Sequence, residues 1–456
     1  MKVLTDNATG AIPLHAVSKD KLAEWKSGLP GPAKAWVEST GFEAGSGKVC
    51  LIPGMDGKLA GAAIGTSATD GMWSFGNGSR DLPKGTYELT TALSAEDANR
   101  AALAWGLGAY AFDRYKEAAA PQASLVWPKA STKDDVQAML DGILLARDLI
   151  NTPTEDMGPA ELAEAAGDLA RRHNAGFSTI VGDDLLKNNY PAIHAIGRAS
   201  TEAPRLIDIV WGDADAPKLT LCGKGVCFDT GGLDIKPASG MKNMKKDMGG
   251  GANILALANA IMAAGLKVRL RVLIPAVENA IAGNAVRPLD VIRARSGKTI
   301  EIGNTDAEGR VILADALAEA SSEKPDLLID FATLTGAARV ALGADLPALF
   351  CNDDVLADQL LKDGLRVQDP MWRLPLWPGY RKMIDAKTAD ITNAPEGGFA
   401  GAITAALFLQ EFVGPNIPWA HVDMIAWNQS NRPGRPEGGE AQTVRACFET
   451  IKARFA

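Results

Sequence analysis

A two-part α/β fold is what this sequence predicts: a small N-terminal α/β domain joined by a helix to a larger α/β domain whose central mixed sheet is flanked by helices. Three observations carry that expectation. The short apolar segments Leu206–Trp211, Leu219–Cys222, Val268–Ile274 and Leu327–Phe331 have strand length and are separated by helical or loop stretches, an alternation that builds a largely parallel or mixed sheet covered on both faces. Upstream, the Trp127-Pro128 step precedes Ser131 and then DDVQAMLDGILLARDLI, whose apolar spacing is that of a long helix capped by Ser131. At 456 residues and 46% hydrophobic content, the chain has enough apolar material for more than one core.

The elements follow in order. Residues 1–128 alternate helix-like and strand-like patterns: Lys21–Trp25 reads as helix, Lys48–Ile52 as a short strand and Ala95–Ala111 as an Ala/Leu-rich helix. The second domain, 129–456, opens with a connecting helix over 129–152, punctuated by NTPTEDMGP at Asn151–Pro159. After the four strands named above comes a strand at Trp419–Ile425, then a Pro- and Gly-rich loop at Asn431–Gly439. No fixed-period repeat or low-complexity tract interrupts this order.

Composition removes several function classes. The chain has 47 basic and 55 acidic residues, and the acidic excess is spread along it, which argues against nucleic-acid or membrane partners. The N-terminal MKVLTDNATGAIPLHAV lacks the apolar core of a signal peptide, and no run approaches ~18 apolar residues, so a soluble cytoplasmic protein is expected. The five cysteines, Cys50, Cys222, Cys227, Cys351 and Cys447, form no CxxC pair and are expected to be reduced and mostly buried. The four histidines, His15, His173, His194 and His421, are far apart and form neither HExxH nor HxH. A hydrolase built on this chain must work with carboxylates and lysines.

Two segments carry such groups. Leu219–Gly251 runs from a strand into a loop of about 25 residues holding Lys224, Asp229, Asp234, Lys236 and Asp247. Asp229 also fits as the cap of a turn before Gly231-Gly232, with the lysines solvated. Ile300–Arg310, IEIGNTDAEGR, ends a short strand before the apolar run VILADALAEA. Thr305-x-x-Glu308 is a capping box in its own right, which leaves Asp306 unexplained. Together the loops supply Asp229, Asp247, Asp306 and Glu308, acidic groups that repel unless cations hold them. A pair of hard divalent ions suits such oxygen donors and activates a water between them.

Other motifs fail on position. Ser296-Gly297-Lys298-Thr299 ends like a phosphate-binding loop, but Ile292 stands where its first glycine belongs. Gly106-Leu-Gly108-Ala-Tyr-Ala111 follows a helical stretch where a dinucleotide fingerprint needs a strand, and in Gly223-Lys-Gly225-Val-Cys-Phe228 the third glycine position holds Phe228.

GKGVCFDTGGLDIKP, MKKDMGGGAN and NTDAEGR, in this order and spacing, resemble the three signature stretches of the cytosolic leucine aminopeptidase family, closely from about Asp148 to Gly336. The resemblance implies two divalent metal ions, zinc or manganese first and magnesium or cobalt as alternatives. Asp229 and Glu308 would bridge them, Asp306 would complete one site through its side chain and main-chain carbonyl, and Lys224 and Asp247 would complete the other. A lysine ligand must be neutral, far below its usual ~10.4. Lys236 would donate to the oxyanion and Arg310 would hold bicarbonate as general base. Met244, Asn304, Thr333, Leu334 and Gly336 would line the bound N-terminal residue. The substrates implied are peptides with a free N-terminus, cleaved by a homohexamer. Some relatives also bind nucleic acid through the N-terminal domain, which the acidic balance here disfavours. One stretch departs from the pattern: His421-Val-Asp-Met-Ile-Ala-Trp427 stands where the family reads HxDIAGTAW, so the preferred N-terminal residue stays open.

Overall fold

The computed structural model describes residues 3–456; Met1 and Lys2, the head of the N-terminal stretch read above, lie outside the described residues. The chain forms two compact units. The first comprises residues up to Leu140 together with Gln429–Glu437, and the second comprises Asp141–Asn428 and Gly438–Ala456.

The first unit is built on a six-stranded sheet. Its central strand Ile12–Ser18 pairs in parallel with Leu59–Thr66 and Gly85–Leu89, and Val49–Pro53 closes one edge antiparallel to Leu59–Thr66. The helix expected at Ala95–Ala111 spans Ala95–Ala109 and starts where Ser94 Oγ accepts from Asp97 N at 3.1 Å, satisfying one of the helix's free amides. Gly106 and Gly108 sit inside that helix, so no dinucleotide turn forms there. The Lys21–Trp25 segment becomes a 3-10 turn and a short helix, Leu22–Ser27.

The connecting helix spans Lys133–Asn151. Its first residue puts Thr132, not Ser131, at the capping position, and Ser131 Oγ instead donates to the carbonyl of Pro128. A proline three residues ahead of a polar pair leaves either residue able to cap, which composition does not resolve.

The second unit contains a mixed nine-stranded sheet. In chain order its strands are β1 Gly176–Val181, β2 Arg205–Trp211, β3 Lys218–Gly223, β4 Gly225–Asp229, β5 Arg269–Asn279, β6 Leu327–Ala332, β7 Ala348–Cys351, β8 Trp372–Arg373 and β9 Trp419–Asp423. Their spatial order is β8-β7-β9-β6-β3-β5-β2-β1, with β4 pairing onto the far half of β5. The core β9, β6, β3, β5 is parallel throughout, as is β4 on β5. All these strands therefore end on the same side. Helices cover both faces. Glu308–Ser322 shares a core with Cys222, Leu273 and Leu328, while Gly249–Ala263 packs on the same strands through the alternate set, as at Ile274.

Two expectations are corrected. The 25-residue loop after β3 is shorter, because Val226, Cys227 and Phe228 continue as β4, an apolar run that buries itself beside β5. The last strand stops at Asp423, before the expected Ile425; Met424 N still donates to Ala332 O, and Ala426 then takes a left-handed φ of 52°. Ser296–Thr299 lies in the hairpin joining Val291–Arg293 to Thr299–Glu301, so no phosphate-binding loop exists there.

The helix Glu308–Ser322 is held by more than its apolar face. Arg271 on β5 bonds Asp208 at 2.6 Å and Glu319 at 2.9 Å, and Asp315 accepts from the main-chain N–H groups of Ala192, Ile193 and Arg295. Removing the Asp315 carboxylate would leave three donors without this partner, the two buried ones, Ala192 N and Ile193 N, each costing about 1–3 kcal/mol.

Candidate active site

The carboxyl ends of the parallel strands converge on one cluster. Lys224 follows β3, Asp229 ends β4, Asn279 ends β5, Thr333 follows β6 and Asp423 ends β9. This is where open α/β sheets place their ligands. Two loops complete the cluster: Thr230–Met248, with helical turns at Ala238–Met241 and Met244–Met248, brings Lys236 and Asp247, and Asn304–Ala307 brings Asp306 to the start of Glu308–Ser322.

All seven expected metal-binding and catalytic residues are in or beside this cluster. Donor oxygens of Asp229, Asp306 and Glu308 lie within 4.8 Å of one another. Lys224 Nζ sits 2.6 Å from Asp247 Oδ2 and 3.0 Å from Glu308 Oε1, and also donates to Thr333 O at 2.9 Å. Lys236 Nζ lies 2.7 Å from Asp229 Oδ2 and pairs with Asp306. Arg310, buried, donates through Nη1 to Asn393 O at 2.6 Å, while its Nε has no hydrogen-bond partner.

Both local readings of the carboxylates are settled by these contacts. Asp229 does shape the turn, accepting from Gly231 N at 2.8 Å with Gly231 and Gly232 at φ of 88° and 63°, yet its second oxygen faces the cluster. The capping box fails: the helix begins at Glu308 itself with no side-chain cap. Thr305 instead donates to Gly231 O and accepts from Asp234 N, stitching the two loops together.

The electrostatics follow from burial. Glu308 is pushed up to about 8, first by burial and then by the charge of Asp229, and Asp306 is pushed up to about 6 by the same two causes. Burial also opposes ionisation of Asp247, but the Lys224 and Lys246 cations overcome it and hold Asp247 below the usual range. Burial works against the charged form of Lys224, yet the surrounding carboxylates, Asp247 first, keep it protonated well above the usual lysine range. Lys236 is likewise held up against burial by Asp229. Arg310 is lowered to about 10 by burial and remains a cation at neutrality.

The expected substrate-lining residues are less concentrated. Thr333 Oγ bonds both the main chain and Oδ1 of Asp247 at 2.9 Å, and Leu334 N donates to Asp423 Oδ1 at 3.0 Å. Asn304 Oδ1 accepts from Asp306 N at 2.7 Å, so its side chain shapes the loop. Met244 opens the turn that carries Asp247, and Gly336 starts the helix Gly336–Leu342 three residues past Thr333.

Three further contributors were not among the expected site residues. Asn279 Nδ2 donates to Asp229 Oδ1 at 2.8 Å and to Thr305 O at 3.1 Å. Asp423 accepts from Leu334 N, Thr335 N and Thr335 Oγ. Gly309 permits the approach of Lys224, since a Cβ there would stand 2.7 Å from Nζ. Two of these had a sequence signal, Gly309 inside NTDAEGR and Asp423 inside the His421–Trp427 stretch, and Asn279 had none.

A model of the cytosol aminopeptidase family catalytic domain matches residues 144–448, and one of the M17 aminopeptidase N-terminal domain matches residues 12–128. The chain belongs to the cytosol aminopeptidase family. It is accordingly an aminopeptidase, a peptide hydrolase with the two-domain α/β architecture anticipated above. Among its relatives, the probable cytosol aminopeptidase of Streptomyces avermitilis is 36% identical over 467 residues, covering 94% of this chain and 91% of that protein. That of Roseiflexus castenholzii is 41% identical over 364 residues, covering 76% and 74%. The crystal structure of the cytosol aminopeptidase from Coxiella burnetii superposes with a TM-score of 0.96 at 49% identity over 100% of both chains. The bottromycin maturation enzyme BotP in complex with Mn superposes at 0.88 with 33% identity, covering 98% and 99%. Among the described residues, no helix of this aminopeptidase is long and apolar enough to cross a membrane.

Proposed function

We propose that this aminopeptidase hydrolyses the first bond of peptides with a free N-terminus, using two divalent cations held by Asp229, Asp247, Asp306, Glu308 and a neutral Lys224. The supporting observation is the charge of the cluster. Four carboxylates pair with two lysines, Lys246 adds a third cation beside Asp247, and the buried oxygens Asp247 Oδ2 and Asp306 Oδ1 receive no well-formed hydrogen bond although a lysine Nζ stands near each. Acidic oxygens buried this way, with protons driven onto Glu308 and Asp306, are a site awaiting more positive charge. Cations bound there would supply Lewis-acid polarisation of the scissile carbonyl and a nucleophilic water near neutral pH.

The residues of the chain divide the remaining work. Lys236 stays protonated and donates to the carbonyl oxygen as negative charge develops on it. Arg310 spends one donor on Asn393 O and keeps others to hold bicarbonate, the general base of this reading. Met244, Asn304, Thr333, Leu334 and Gly336 shape the seat of the N-terminal residue. Manganese is the ion we place first, since BotP was solved with Mn and oxygen-rich donors suit it. Zinc, magnesium and cobalt compete at the same donors. A cytoplasmic homohexamer completes the reading, and solution mass checks the assembly.

The experiment compares a short peptide with its N-acetylated form on metal-loaded protein, and measures bound metal in Asp306→Ala. Release of the first residue from the free-amine peptide alone, with activity and metal both lost in the variant, is the expected result. Equal cleavage of both peptides, or an active variant with full metal content, would sink the proposal.

A further inference from the structure

Asn393 lies just past the short strand Ile391–Thr392, 83 residues from Arg310 in sequence and 1% exposed. Its side chain makes four hydrogen bonds, all to one segment. Oδ1 accepts from Gly303 N at 2.8 Å and Asn304 N at 3.2 Å, and Nδ2 donates to Asn304 O at 2.8 Å and Ala307 O at 3.2 Å. Two amide donors on one side and two carbonyls on the other fix which end is oxygen, and no other side chain of this size offers two acceptances and two donations. Its main-chain oxygen takes the 2.6 Å bond from Arg310. A single buried residue thus clamps both ends of the loop that carries Asp306, the residue immediately before Glu308, and the guanidinium that follows.

The backbone is shaped for this clamp. A Cβ on Gly303 would lie 2.4 Å from Ala394 O and 2.8 Å from Thr392 Oγ1, so only glycine lets the loop approach closely enough for both Oδ1 bonds to form. Asn393 N separately bonds Glu301 O at 3.0 Å, so attachment of the strand does not need the side chain.

We infer that Asn393 is a positioning residue of the aminopeptidase reaction, its amide holding Asp306, Glu308 and Arg310 in register with one another. The inference rests on the roles proposed above for those three residues. Groups that orient metal ligands from behind typically account for 10–100-fold in metal affinity or activity.

The test measures Mn²⁺ affinity by the spin-resonance signal of free Mn²⁺, together with kcat and KM on a free-amine peptide, for wild type, Asn393→Ala and Asp306→Ala. Asn393→Ala is expected to bind Mn²⁺ roughly 10–100-fold more weakly and to lose a similar factor in kcat at saturating metal. Its KM should rise by less than kcat falls, because, of the residues proposed to seat the substrate, Asn393 holds Asn304 alone. An Asn393→Ala protein with wild-type Mn²⁺ affinity and kcat overturns the inference if Asp306→Ala has lost both. If Asp306→Ala keeps both, the site assignment beneath it fails as well. Should Asn393→Ala not fold, hydrogen exchange on the wild type decides: protection of the Gly303 and Asn304 amides, which lie outside any helix or strand, supports the clamp, and free-loop exchange there refutes it.

Discussion

The two lysines face one carboxylate cluster from opposite ends, Lys224 on Asp247 and Glu308 and Lys236 on Asp229 and Asp306, and live in different surroundings. Lys224, Asp247 and Glu308 have side chains only 3%, 4% and 2% exposed, whereas Lys236 is 15% and its partner Asp306 32% exposed. Lys224 is enclosed by Thr333 O, Asp247 and Glu308 and has nowhere to move. Lys236 sits on a loop at the open side. Burial supports the proposed roles: the enclosed amine suits a fixed ligand that gives up its proton to a cation, and the open one suits a charged donor that meets substrate.

The most severe way to break this comparison is to remove the enclosed lysine. Lys224→Ala leaves Asp247 and Glu308 buried without their cation and takes a donor from the proposed metal pair. We expect kcat/KM to fall on the order of 10³-fold or more, with bound metal dropping from two ions toward one per chain by elemental analysis. Lys236→Ala should fall less, about 10²–10³-fold and mainly in kcat, as for loss of one oxyanion donor, while metal content stays at two. Equal metal loss in both variants would erase the distinction between the two ends.

A subtler change acts on the enclosed end alone. Gly309→Ala would place a methyl 2.5–2.7 Å from the Cε, Cδ and Nζ atoms of Lys224, displacing the amine without altering any ionisable group. A loss of roughly 10–100-fold in metal affinity is expected, with the charge of Lys236 and its pairing untouched. Metal titration reads this directly, and wild-type affinity in Gly309→Ala would show that Lys224 is not a ligand.

These contrasts were partly legible in the sequence. The parallel strands after Leu206 and the chemistry of GKGVCFDTGGLDIKP and NTDAEGR could be read because strand-length apolar runs and short motifs are local signals. The structure adds partners that are distant along the chain. Asn279 reaches Asp229 across 50 residues and Asn393 reaches the NTDAEGR loop across about 90. An isolated Asn before Ala-Pro carries no period or motif, so only the sheet that brings Ile391–Thr392 beside Thr299–Glu301 reveals it. The same limit explains β4 and the failed capping box: Thr305 and Glu308 have the spacing of a cap, but Thr305 is already engaged by Asp234 and Gly231.

The smallest expected effect sharpens the comparison through pH. Glu308, at the enclosed end, titrates at about 8 and Asp306, at the open end, at about 6, both above their ordinary values because burial and Asp229 disfavour the ionised form. A carboxyl raised on folding contributes stability that is fully present below its ordinary range and is lost as pH rises through its folded value. Asp247, held low, matters only in acid, and the raised lysines only in strong base. Between pH 5 and 8.5 the metal-free protein should therefore lose stability progressively, Asp306 adding to the loss up to about pH 6 and Glu308 up to about pH 8, with buried Asp315, pushed up to about 7, contributing in the same range. Divalent cations take the place of those protons, so their stabilisation runs the other way and grows with pH. Melting temperatures with and without Mn²⁺ should diverge by a further few degrees, on the order of 2–4 °C, between pH 6 and 8.5. In Glu308→Gln the loss between pH 6 and 8 should be smaller than in the wild-type protein; equal losses in the two metal-free proteins would mean that the enclosed carboxylate is already ionised across this range, and that the lysines alone balance it.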